Sequence, residues 1–68
     1  MDNVFNKRLK EVRAINKLNQ KQVAEKLKIS VTCYAGYEQG YRQPDIKTLK
    51  KICLLYDVSA DYLLGLED

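Results

Sequence analysis

Residues 20–39 read QKQVAEKLKISVTCYAGYEQ, a run that divides into two short amphipathic segments with almost nothing between them. In the first, residues 20–27, Val23, Ala24 and Leu27 recur at helical spacing. Asn19 stands before it as an N-cap, and Gln22 three positions on completes a capping box. Ser30 caps the second segment, residues 31–39, and Gly40 ends it as a left-handed C-terminal residue. Only Lys28, Ile29 and Ser30 link the two, and a link this short makes the helices cross sharply. Ala24 is small enough for the crossing, Ile29 plugs the turn, and Tyr34 and Tyr37, three apart, anchor the second helix inward. Helical geometry then turns Val31, Thr32, Ala35, Gly36 and Gln39 outward. This outward strip carries no charge, where a solvated helix face ordinarily carries Lys and Glu.

Three further segments flank this pair. Phe5, Leu9 and Val12 share one helical face of residues 4–16, with Asp2 or Asn3 as the cap. Pro44 and Asp45 open a helix that runs to residue 56, and Ile46, Leu49, Ile52, Cys53 and Tyr56 form its inner face. Ser59 caps a last short helix carrying Tyr62, Leu63 and Leu64. No alternating run of β-branched residues bounded by turns is present. The expected fold is therefore all-α: five short helices around one core, in a single domain spanning residues 1–68.

At 68 residues the chain buries only about 60% of its unfolded surface and has no room for a deep substrate cavity. The composition, 46% hydrophobic and 31% charged, is that of a folded protein. The longest apolar run, residues 52–56, is far too short for a membrane span or a signal-peptide core, so the chain is expected in the cytoplasm. Cys33 and Cys53 lack CxxC spacing and the chain has no histidine, which excludes a four-ligand Cys/His zinc site in one chain. Cys53 reads as a small core residue and Cys33 as a semi-buried packing thiol. Ser30 and Ser59 sit at helix caps, and no Gly-rich phosphate loop is present. No catalytic residue, metal or cofactor is expected, and the chain is not read as an enzyme.

Charge is unevenly spread. Residues 1–51 hold all twelve basic residues and five acidic ones, a net of +7, whereas residues 52–68 hold four acidic residues and no basic one. A basic body with an acidic tail points to a polyanion on one side of the molecule. The uncharged strip of residues 31–39 suits a helix that enters the DNA major groove, which admits one α-helix.

On these residues the chain resembles the Cro/C1-type (XRE) helix-turn-helix family of phage and bacterial repressors, with the lambda-repressor-like fold. The resemblance is carried by RLKEVR (8–13), LNQKQVAEKL (18–27), YEQG (37–40), QPDIKTLKKI (43–52) and VSADYLLG (58–65). These stand in the family's order and spacing across residues 4–66. The resemblance implies that helices 2 and 3 form the helix-turn-helix, at about residues 20–39. It also implies a sequence-specific double-stranded DNA-binding transcriptional regulator: a repressor that binds a palindromic operator as a homodimer, bacterial or phage-encoded and associated with the nucleoid. Val31, Thr32, Ala35 and Gly36 match base-facing positions, with Gln39 or Arg42 adding a polar contact. Gln20 matches a DNA-backbone position, and Asn19 beside it can act alike. Lys10, Lys21, Lys28, Arg42 and Lys47 surround the motif as phosphate contacts, Arg42 in the loop where the family meets the backbone. Arg13 and Glu38 match a pair that forms a buried salt bridge in related repressors.

There are departures from the family pattern. Val31 stands where members often carry Arg, and Gly36 where they carry a longer side chain. Val31, Thr32 and Ala35 then touch thymine methyl groups, Thr32 adds a hydrogen bond, and Gly36 brings the helix backbone close to the DNA, so direct readout is modest and supplemented by DNA shape. Lys17 and Lys28 replace glycines at helix ends, at about 1 kcal/mol for a non-glycine residue in the left-handed region. Tyr62, Leu63, Leu64 and Leu66 crowd into five positions, more than one side of a short helix buries, and are the expected dimer surface. An antitoxin or a restriction–modification controller would share this fold. A protein-interaction module that does not read DNA is the reading of a different class, and the basic body argues against it.

Replacing Thr32 by alanine is expected to relax preference at one base position of the bound duplex. Binding measured across operator variants with an unchanged preference would exclude a direct role for Thr32.

Overall fold

The computed structural model describes residues 4–67. Five helices follow one another: α1 (Val4–Ile15), α2 (Gln20–Leu27), α3 (Val31–Gln39), α4 (Ile46–Tyr56) and α5 (Ala60–Leu64). Helices this short are marginal alone in water, so their existence depends on caps and on a shared core. Four of them start with a side-chain cap. Asn19 and Gln22 form the reciprocal capping box of α2, while Ser30, Asp45 and Ser59 accept the N–H groups of Cys33, Thr48 and Tyr62. The caps expected for α1, Asp2 and Asn3, lie outside the described residues.

The core is one cluster: Leu9 and Val12 from α1, Val23, Ala24 and Leu27 from α2, Tyr34 and Tyr37 from α3, Ile52 and Tyr56 from α4, and Leu63 from α5. Phe5, Ile29, Leu49 and the two cysteines are partly buried against it. Helix α3 packs on both α1 and α2, α4 closes over α2, and α5 returns to α1. The Cα radius of gyration, 10.8 Å, matches the value of about 11 Å expected for a packed domain of this length. The two α3 tyrosines meet edge to face, with ring centroids 6.2 Å apart, a favoured aromatic geometry.

Three sequence expectations are corrected at helix ends. Helix α1 ends at Ile15, one residue before the expected end, as Lys17 turns left-handed (φ 57°) and the N–H groups of Lys17 and Leu18 close back onto the Ala14 and Arg13 carbonyls. Helix α4 begins at Ile46, after Asp45 as its cap, so Pro44 precedes the helix instead of opening it. Ile46 does not belong to the inner face of α4: it is 86% exposed. At the first turn of α4 the core has not yet closed over the helix, and Leu49 is the first residue to reach it.

Each helix ends in a left-handed residue: Lys17, Lys28, Gly40, Asp57 and Gly65. Lys28 (φ 61°) donates its N–H to the carbonyls of Ala24 and Glu25, so the turn into α3 depends on it. Asp57 (φ 56°) was not foreseen from the sequence, and it also places a carboxylate at the negative end of the α4 dipole. Lys28→Gly and Asp57→Gly are each expected to raise the unfolding free energy by about 1 kcal/mol, with Asp57→Gly gaining more. Urea denaturation checks this, and an unchanged midpoint for both variants would show that these residues carry no strain.

Candidate nucleic-acid interface

The outward face of α3 is positioned by what its inward face must do. Glu38 is buried, with a side chain only 1% exposed, and an isolated carboxylate there would cost several kcal/mol. Its oxygens are met by three donors. Arg13 of α1 binds in a fork, Nε to Oε2 at 2.6 Å and Nη2 to Oε1 at 3.1 Å, and Gln20 of α2 donates its Nε2 to Oε1 at 3.0 Å. Arg13 also donates to the Leu18 carbonyl at 3.1 Å. Tyr34 adds its hydroxyl, which in turn pairs with the Tyr56 hydroxyl of α4 at 2.8 Å. Among the described residues no buried side-chain polar atom lacks a partner.

Burial pushes the Glu38 carboxyl up, but the hydrogen bonds from Arg13, Gln20 and Tyr34 outweigh it and hold the group below the usual glutamate value. The hydrogen bond to Glu38 raises Arg13. Burial raises both Tyr34 and Tyr56, which stay neutral hydroxyls. The sequence resemblance marked Arg13 and Glu38. Gln20, Tyr34 and Tyr56 as further members of the same network were not foreseen, since Gln20 and Tyr56 reach it from other helices, α2 and α4.

With Glu38 and Tyr34 inward, Val31, Thr32 and Gln39 are exposed and Ala35 is half-exposed. Gly36 is the exception and a correction: it is buried, because the Arg42 side chain lies across it. At the start of α2, the Asn19 carboxamide oxygen is taken by the Gln22 N–H (2.7 Å) and the Gln20 amide by Glu38. The N–H groups of Gln20 and Lys21 therefore remain as the groups at this helix start suited to an anion. Lys10, Lys21, Lys28, Arg42 and Lys47 are all exposed.

The C-terminal candidates separate. Leu63 is a correction: it is 0% exposed and belongs to the core, because α5 is too short to turn it away from α1. Tyr62 is half-buried beneath Arg8, whose guanidinium carbon lies 4.4 Å from the ring centroid. Arg8 also donates to the carbonyls of Tyr62 and Glu67. This clamp from α1 onto the C-terminal segment was not read from the sequence, since the partners lie more than fifty positions apart. Leu64 and Leu66 remain exposed, at 47% and 73%. Among the described residues no helix is long and apolar enough to cross a membrane, and no group of three His, Cys, Asp or Glu is placed to hold a metal.

Known proteins share this pattern. Residues 6–68 match the model of the family described as helix-turn-helix domain. The chain is 50% identical over 62 residues to the HTH-type transcriptional regulator ImmR of Bacillus subtilis (strain 168), covering 91% of this chain and 49% of that protein. Two uncharacterized HTH-type transcriptional regulators of the same organism are also similar. YobD is 42% identical over 65 residues, covering 96% of this chain and 58% of that protein. YqaE is 48% identical over 61 residues, covering 90% and 53%. The chain thus spans about half the length of these relatives. No solved structure matches it at comparable significance.

Because Glu38 titrates lower in the folded state, the stabilisation it provides is complete above about pH 4.3, the unfolded value, and is lost as acid carries it through its folded pKa. Arg13→Met leaves this carboxylate buried without its guanidinium and is expected to cost about 3–5 kcal/mol. The double variant Arg13→Met/Glu38→Leu should recover part of that loss and lose part of the acid sensitivity. Urea titrations from pH 3 to 7 check both. A single variant within about 1 kcal/mol of the parent would show the pair to be dispensable.

Proposed function

The chain belongs to the helix-turn-helix domain family, as a Cro/C1-type (XRE) member, and on that premise we propose that it binds double-stranded DNA as a transcriptional regulator with α3 in the major groove. The observation that carries this reading is the outward face of α3. Val31, Thr32 and Ala35 form an uncharged, small-sided strip held rigidly by the Glu38 network. Val31 and Ala35 suit thymine methyl groups, and Thr32 adds a hydroxyl. Exposed Lys10, Lys21, Lys28 and Lys47 supply phosphate contacts and make binding salt-dependent.

One such domain reads only a few base pairs, so the operator is proposed to be an inverted repeat bound by a homodimer. Leu64 and Leu66 supply the exposed apolar area for that contact, bordered by Tyr62. Occupying the operator is the simplest action for a helix-turn-helix domain, which favours repression, in the cytoplasm and on the nucleoid.

Selection of bound duplexes from a random pool at about 0.15 M salt tests this directly. The expected result is an inverted repeat with half-site centres about 34 Å apart. Binding without enrichment would remove sequence-specific reading, and no binding would favour a protein-interaction module. Leu64→Asp/Leu66→Asp is expected to weaken binding to the full repeat by about tenfold or more while leaving the melting temperature and binding to an isolated half-site unchanged. Equal loss on both duplexes would place dimer contacts elsewhere.

A further inference from the structure

We propose that Arg42 reads a guanine for this domain, and that Gly36 is the notch which carries Arg42 onto the reading face. The inference rests on the proposed DNA-binding function and deepens it.

Glycine inside a helix is destabilising relative to alanine, so Gly36 calls for a physical reason. Backbone conformation does not supply one, since the positive-φ glycines are Gly40 and Gly65. Space does. A β-carbon built on Gly36 would stand 3.0 Å from Arg42 Cγ and Cδ and 3.3 Å from its Cβ. The arginine stem therefore fills the volume that a side chain at position 36 would take on α3. Its root is fixed as well: the N–H groups of Gly40, Tyr41 and Arg42 converge on the Gly36 carbonyl at 2.9, 3.0 and 3.2 Å. The loop after α3 turns back on the helix and lays Arg42 along it.

The ion pair found among the described residues is Arg13–Glu38, and it leaves the Arg42 guanidinium without a carboxylate partner. Gly36 lies one helical turn from Thr32, so a stem seated on it brings the guanidinium to the flank of this otherwise uncharged strip as a bidentate donor, which fits O6 and N7 of guanine in the major groove. Seating the stem on Gly36 removes part of the rotamer freedom that binding would otherwise have to freeze. A lysine would keep the charge but lose the planar fork. These features distinguish a base contact from the phosphate contact expected of a basic residue in this loop.

The test compares the parent with Arg42→Lys, Arg42→Ala and Gly36→Ala, using the selected duplex and its single-base variants. The parent is expected to select a guanine in each half-site. Arg42→Lys and Arg42→Ala should both lose discrimination at that base by about tenfold or more. Gly36→Ala should lose it too, with an unchanged or higher melting temperature, because the helix gains while the arginine is displaced. Gly36→Ala/Arg42→Ala should be no worse than Arg42→Ala alone. An Arg42→Lys variant that keeps the parent's base profile would make Arg42 a phosphate contact and overturn the proposal. So would an Arg42→Ala variant that loses affinity evenly across sequences, with its salt slope reduced by about one. A Gly36→Ala variant that keeps the profile would remove the notch. A parent that binds no duplex would overturn the DNA-binding reading itself, a result distinct from binding with an unaltered profile.

Discussion

Burying the Glu38 carboxylate takes a charge out of water, and that is tolerable only where strong donors converge on it. Here they come from separate helices: Arg13 from α1, Gln20 from α2 and Tyr34 from α3 itself, with Tyr56 of α4 behind Tyr34. The carboxylate thereby fixes how α3 is rotated about its own axis. Glu38 and Tyr34, four apart, must both point inward, and the strip of Val31, Thr32 and Ala35 follows to the outside. Gln20 ties the first residue of α2 to the same group, so the start of α2 and the reading face of α3 hold one mutual orientation. For the proposed docking of two helices on one duplex, that rigidity matters more than net stabilisation from an ion pair.

The rest of the stability is assembled from small contributions. A domain of 68 residues has an unfolding free energy of roughly 3–10 kcal/mol, and its helices are five to twelve residues long. Caps at Asn19, Ser30, Asp45 and Ser59 satisfy helix N-termini. Three non-glycine residues in the left-handed region, Lys17, Lys28 and Asp57, work in the other direction. At about 1 kcal/mol each, they amount to a large part of the margin. Lys28 keeps its charge beside the turn at this cost.

Besides the buried Leu63, the C-terminal segment is held on by Arg8. Arg8 stacks on Tyr62 and donates to the Tyr62 carbonyl within α5 and the Glu67 carbonyl beyond it, so a basic residue of α1 secures the segment that carries no basic residue of its own. This leaves Leu64 and Leu66 outward while Leu63 closes the core. The exposed apolar surface of this segment is thus smaller than the local sequence suggests.

Short-range features of this fold are legible in the sequence because their causes lie within one helical turn. The α2 capping box and the other caps, the three-residue link at residues 28–30, the limits of α2 and α3, and the inward tyrosines all follow from neighbours three or four positions apart. The features that escaped depend on partners brought together by the chain's return. Gly36 is small and lies on the outward side, and nothing within α3 shows that Arg42 will cover it. Ile46 fits the apolar period of α4, yet it lies exposed at the start of that helix. Leu63 and Leu64 are equivalent in sequence, and the packing of α5 on α1 buries one and exposes the other. Helix α3 shows the limit most clearly, since it carries apolar residues on both sides. Periodicity in the sequence gives each helix a face, but which face meets protein and which meets solvent is settled by the contacts the neighbouring helices make.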